Sequence, residues 1–82
     1  MMIVNLYSKI DCPLCEKAKA VLRELQHEWK FEINEIDIYQ DDALLEKYQL
    51  TIPVVEVDGE ELAYGLIHKD FIRKRLLERM NS

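Results

Sequence analysis

Two cysteines, Cys12 and Cys15, stand three positions apart in the stretch SKIDCPLCEKAK. Thiols in this pattern can hold half of a zinc site, close a small loop as a structural staple, or cycle between dithiol and disulfide. A loop this short constrains the unfolded chain little, so the staple is the weakest of the three. Zinc takes four ligands, and beyond the cysteines the chain offers only His27 and His68, with no second Cys pair and no His pair. An intrachain zinc site is therefore not expected, while a dimer sharing four cysteines stays open, as does a pair with no function. Redox cycling uses the spacing best, provided the fold sets the pair at a helix start.

The elements that must do so are legible. IVNLY, residues 3–7, is β-prone and reads as a short, largely buried strand. Pro13 suits a first helical position, and Leu14, Ala18, Val21, Leu22, Leu25 and Trp29 recur at helical spacing, opposite Glu16, Lys17, Lys19, Arg23 and Glu24. This predicts a helix of about four turns. Its boundary with the strand falls on Cys12, whose thiol would meet unpaired backbone N–H groups and about half a positive charge from the helix dipole. Both favour the thiolate. Lowering a thiol pKa from about 8.5 to about 7 raises the thiolate fraction at pH 7 from roughly 3% to roughly half, for about 2 kcal/mol. Cys15, one turn on, is a near neighbour at a Cβ separation of about 5–6 Å. Relaxed disulfides prefer about 4 Å, so a bridge here is expected to stay readily reducible.

Further along, FEINEIDI, residues 31–38, sets Phe31 and Ile33 on one parity and Ile36 and Ile38 on the other, which predicts a strand with a bulge or displaced start near Asn34. DDALLEKYQL, residues 41–50, reads as a short helix with Leu44, Leu45 and Tyr48 on one face. Asp58-Gly59 within PVVEVDGEELAY is a two-residue hairpin turn. From Ile67 to Met80 a last helix carries the stripe Ile67, Phe71, Ile72, Leu76 and Met80, with Arg73, Lys74, Arg75 and Arg79 towards its C-terminus. The order strand, helix, strand, helix, hairpin, helix gives a right-handed crossover extended by a hairpin. The expected class is α/β, a four-stranded mixed sheet with three helices over its faces. Pro53 opens a strand in TIPVV, where it cannot donate to a sheet; whether its peptide bond is cis or trans is open on the residues alone.

Composition narrows the function. The 82 residues suit one domain, 1–82, and 11 Lys and Arg against 16 Asp and Glu leave a formal charge of -5, with no basic run to track nucleic acid. Apolar residues make up 49% but fall in short runs, so no membrane span or membrane partner is expected. The start lacks a basic region and a cleavage site for secretion, which points to the cytoplasm.

YSKIDCPLC after the first strand, TIPVV before the hairpin, VDGEEL through it and the whole order of elements resemble the glutaredoxin family of the thioredoxin fold. More narrowly, they resemble short glutaredoxin-like proteins with Cys-x-Leu-Cys sites, over nearly the whole chain. The resemblance implies a thioredoxin-like three-layer sandwich and a thiol-disulfide oxidoreductase. In it Cys12 attacks, Cys15 resolves the mixed disulfide, and Pro53 is a cis proline packed against the pair. Lys9 matches a family lysine three residues before the first cysteine. Thr51, Ile52 and Pro53 match Thr-Val-Pro, with the Ile52 backbone pairing to a bound cysteinyl peptide. Candidate binding residues are thus Lys9, Pro13, Thr51, Ile52 and Tyr64, and Tyr7 is a second candidate to line the groove.

The family's Gly-Gly pair and following Asp, which receive the γ-glutamyl end of glutathione, read here as Ala63 and Tyr64, with Gly65 afterwards and Asp70 the nearest acid of that type. No cofactor or metal is expected, and the reductant is glutathione or a thioredoxin-reductase system. The substrate is a protein disulfide or a glutathione mixed disulfide, and a monomer is expected. Two other classes stand beside this one: a metal or iron-sulfur carrier using Cys12 and Cys15 across a dimer, and a binding module without turnover.

Overall fold

The computed structural model describes residues 1–81. Strand β1, Ile3–Ser8, leads into helix α1, Pro13–Leu25, and then strand β2, Glu32–Asp37. A 3-10 turn, Ile38–Gln40, precedes the short helix α2, Asp42–Tyr48, and the hairpin β3, Val54–Val57, and β4, Glu60–Tyr64, runs into helix α3, Lys69–Met80. The sheet order is β2-β1-β3-β4, with β1 parallel to β2 and antiparallel to β3, and β3 antiparallel to β4. This is the expected α/β architecture.

Alternation along the strands feeds two cores. Val4 and Leu6 of β1 and Val55 and Val57 of β3 meet Ala18, Leu22 and Leu25 of α1 and Ile72 and Leu76 of α3. On the other face Tyr7, Val54 and Ile38 gather with Tyr48, flanked by Leu44 and Leu45 of α2. The sheet is thus the middle of three layers, with α1 and α3 on one face and α2 on the other.

This layering corrects the expectation of a bulge near Asn34. β1 and β2 pair without interruption from Ile3↔Glu32 to Ser8↔Asp37. Ile33 packs on the α1/α3 core and Ile36 on the α2 core, so a regular strand carries apolar residues at both parities because both faces are covered. Phe31 and Ile38 lie just outside the strand, each buried at one of its ends. The register shift occurs instead in the hairpin, where Val55 pairs with Ala63 but Glu56 with Glu61, which leaves Leu62 as the extra residue.

Helix ends follow local chemistry. Asp41 caps α2, its carboxylate accepting the N–H groups of Ala43 and Leu44 at 2.8 and 3.4 Å. Asp58 and Gly59 both take positive φ, 51° and 82°, as a type I′ turn requires. α1 stops at Leu25, so Trp29 sits beyond it in the turn, half-buried against the core. In α3 only Ile72 and Leu76 of the expected stripe are buried within the helix; Ile67 is buried just before it, and Phe71 and Met80 are exposed.

Leu22 is fully buried and Leu77 is 40% exposed. Leu22→Ala is therefore expected to lower unfolding free energy by about 3 kcal/mol and Leu77→Ala by less than about 1 kcal/mol, as read from urea denaturation.

Candidate functional site

The parallel pairing of β1 with β2 and the antiparallel pairing with β3 bring several chain ends to one pole. β1 and β2 finish there, β3 begins there, and β4 finishes beside it, since Tyr7 pairs with Val54 and Val54 with Tyr64. Helix α1 starts at the same pole, after the turn that leaves Ser8. Asp11 makes that turn possible with φ 58°, a left-handed backbone that Asp adopts more readily than most residues. No pattern of apolar residues could have pointed to this role of Asp11; its one signal is a turn-prone residue just before the helix cap.

Cys12 is the N-cap of α1 in extended backbone, and Pro13 follows at the first helical position. The Cys15 N–H donates to Cys12 Sγ at 3.2 Å, and the Glu16 N–H donates to the Cys12 carbonyl at 3.0 Å. A sulfur thus occupies the place where Ser, Thr, Asp or Asn would usually satisfy an orphan amide. Cys12 and Cys15 are joined as a disulfide, with Cα atoms 5.1 Å apart. Of the two, Cys12 is the more accessible residue, at 8% against 2% exposed.

Pro53 is buried at this pole, and the Ile52-Pro53 peptide bond is cis. Continuing the β1/β3 register by one step sets Pro53 beside Ser8, at the base of the cysteine turn. The Gly65 N–H is shared between the carbonyls of Thr51 and Pro53, at 3.2 and 2.9 Å, and so ties the end of β4 to the proline loop. Gly65 holds φ 72°, a conformation glycine adopts without strain. The Ile52 N–H donates to the Tyr48 carbonyl at 3.1 Å, alongside the Thr51 N–H at 2.9 Å. Only the carbonyl of Ile52 is left for a bound chain.

The other expected groove residues divide. Tyr64 is 65% exposed at the end of β4, on the same pole as the cysteines. Lys9 is exposed on a mixed-charge cavity of about 460 Å³ shared with Asp11, Glu16, Lys19, Glu35 and Asp37. Lys19 pairs with Glu35 at 3.1 Å, and the Ser8 hydroxyl donates to the same carboxylate at 3.3 Å. Tyr7 is not a groove residue: it is buried, stacks on Tyr48 at 4.6 Å, and its hydroxyl reaches Glu56 at 3.4 Å. Among the described residues no group of three or more His, Cys, Asp and Glu side chains could hold a metal ion, and His27 and His68 are both exposed, on different helix ends.

Comparisons with known proteins agree with this fold. The family model described as a glutaredoxin-like domain (DUF836) matches residues 3–77. The solution structure of protein Ne2328 from Nitrosomonas europaea is 29% identical over 89% of this chain and 88% of its own, with a TM-score of 0.78. The X-ray structure of protein XcR50 from X. campestris is 28% identical over 92% of this chain and 96% of its own, with a TM-score of 0.80. A mutant thioredoxin from Halobacterium salinarum, 23% identical over 95% of this chain and 73% of its own, superimposes with a TM-score of 0.66 and shares the fold.

Burial holds the Tyr7 phenol above its ordinary value, and the Glu56 carboxylate adds to the rise; burial also raises Tyr48, against the opposing pull of Lys47. As pH climbs past about 10, the unfolded chain's tyrosines lose their protons before these two do, so folding stability falls there. Tyr7→Phe is expected to flatten that fall, as read from urea unfolding at pH 8 and at pH 10.5.

Proposed function

The chain belongs to the glutaredoxin-like domain family, and from that premise we propose that it is a thiol-disulfide oxidoreductase whose working pair is Cys12 and Cys15. The observation that carries this reading is the amide of Cys15 aimed at the Cys12 sulfur at the open end of α1. In the reduced protein the same N–H and the helix dipole favour a negative charge on that sulfur, which makes it the nucleophile.

The reaction balances within the two thiols. Cys12 thiolate attacks one sulfur of a client disulfide; the client S–S bond breaks, a Cys12–client bond forms, and the other client sulfur leaves as a thiolate that takes up a proton. Cys15 then gives up its proton and attacks Cys12 Sγ, which expels the second client thiolate. The client gains two electrons, and the protein ends as the Cys12–Cys15 disulfide. An external thiol, glutathione or a dithiol protein, returns two electrons to close the cycle. No resident cofactor enters these steps, and the cycle suits a thiol-reducing compartment such as the cytoplasm. Thr51, Ile52 and Pro53 would support the client's backbone beside the pair, with the Ile52 carbonyl as acceptor, while Lys9, Pro13 and Tyr64 border the approach.

Cys12→Ser is expected to abolish disulfide reduction. It should cost less than about 1 kcal/mol of stability, because Ser is itself a good helix cap. Cys15→Ser is expected to accumulate a Cys12–client mixed disulfide, visible by mass spectrometry under non-reducing conditions. Equal alkylation of the two thiols by iodoacetamide at pH 6 would count against the roles assigned to them.

A further inference from the structure

Apolar side chains are exposed around one cavity at the cysteine pole. Tyr64, Leu66 and Phe71 are 65%, 54% and 52% exposed and surround a cavity of about 480 Å³ between the end of β4 and the first turn of α3. Leu62 and Ala63 also line it, with Glu61 and His68 completing the wall. Large apolar groups held in water beside a concave apolar surface are the usual mark of a recognition site. The charged cavity beside Lys9, by contrast, offers little apolar area to a partner.

Position links this cavity to the redox pair. Tyr64 pairs with Val54, and the Gly65 N–H joins the carbonyls of Thr51 and Pro53, so the cavity wall continues into the proline loop. β4 lies two strands from β1, from whose end the cysteine turn departs. At about 4.8 Å per strand that is about 10 Å, which an extended chain crosses in roughly three residues.

Charge narrows the occupant. Glu61 is the one formally charged side chain of the wall. Of the neighbouring cations of α3, Lys69 pairs with Glu24 at 2.9 Å and Arg73 with both Glu28 and Asp70 at 2.8 Å, while Lys74 is exposed to solvent and does not line the wall. A carboxylate entering here would meet Glu61 and no ammonium or guanidinium in the wall.

We infer that the cavity of Tyr64, Leu66 and Phe71 is a client-specificity pocket. It takes a large apolar side chain set roughly three residues from the client's cysteine, in an extended, non-acidic protein segment. The inference rests on the reading of Cys12 and Cys15 as the working dithiol, and it makes a protein rather than glutathione the client.

The test reads binding without turnover. Three fluorescein-labelled peptides carry serine in place of the cysteine and leucine, serine or glutamate three residues away. Their affinities for the full-length oxidised protein are measured by fluorescence anisotropy. The leucine peptide is expected to bind about tenfold tighter than the other two. Phe71→Ser and Leu66→Ser, both at exposed positions, should each bring that preference below about threefold, with circular dichroism unchanged. Equal affinity for the three peptides, an intact preference in both variants, or displacement of the leucine peptide by equimolar glutathione would overturn the pocket. If Cys15→Ser fails to trap a client while the leucine preference holds and both variants lose it, the pocket stands and the redox reading falls.

Discussion

One hydrogen bond joins helix geometry to thiol chemistry in this protein. The Cys15 amide points at Cys12 Sγ because Cys12 is the cap of α1, and it can be the cap only because β1 ends four residues earlier and Asp11 turns the chain with a left-handed backbone. A cap made of sulfur satisfies an amide that would otherwise be orphaned, and the same amide stabilises negative charge on that sulfur. The stability of the helix start and the reactivity of the thiol therefore draw on a single contact.

The sheet supplies the rest of the pole. Parallel and antiparallel pairings in one four-stranded sheet converge the exits of β1, β2 and β4 with the entry of β3. Pro53 and Gly65 are distant from Cys12 in sequence, yet the register sets Pro53 beside Ser8, and the shared Gly65 amide fastens the hairpin end to the proline loop. The opposite pole is organised differently. There Arg79 bridges Asp58 and Glu60, and Arg75 reaches Glu60, so α3 is tied to the hairpin by ion pairs at the surface. Such exposed pairs contribute little each, which leaves the two apolar cores as the main support of the cysteine pole.

Much of the fold was legible because its signals are local. Asp58-Gly59 could hardly be anything but a tight hairpin turn, since both residues tolerate positive φ. Pro13, the stripe of Ala18, Leu22 and Leu25, and the acids opening α2 likewise act within one or two helical turns. The parity of β2 misled for a non-local reason. Ile33 and Ile36 look like a broken alternation until helices are seen on both faces of the sheet, and then each has its own core. Phe71 and Met80 had the spacing of a core stripe, but α3 buries only Ile72 and Leu76, and Phe71 and Met80 stay about half exposed.

By itself the sequence determined that two thiols one turn apart would stand at a strand-to-helix boundary, since cap, proline and apolar spacing are properties of neighbouring residues. It could not determine which distant groups share that pole, because strand order and register arise only when both faces of the sheet are buried. Tertiary structure alone decided that Tyr7 turns inward to stack on Tyr48 while Tyr64 stays in water, that the Ile52 N–H is taken by Tyr48, and that Leu66 and Phe71 face the same cavity as Tyr64. Burial of a side chain depends on what packs over it, and that is a property of the assembled layers rather than of any stretch of chain.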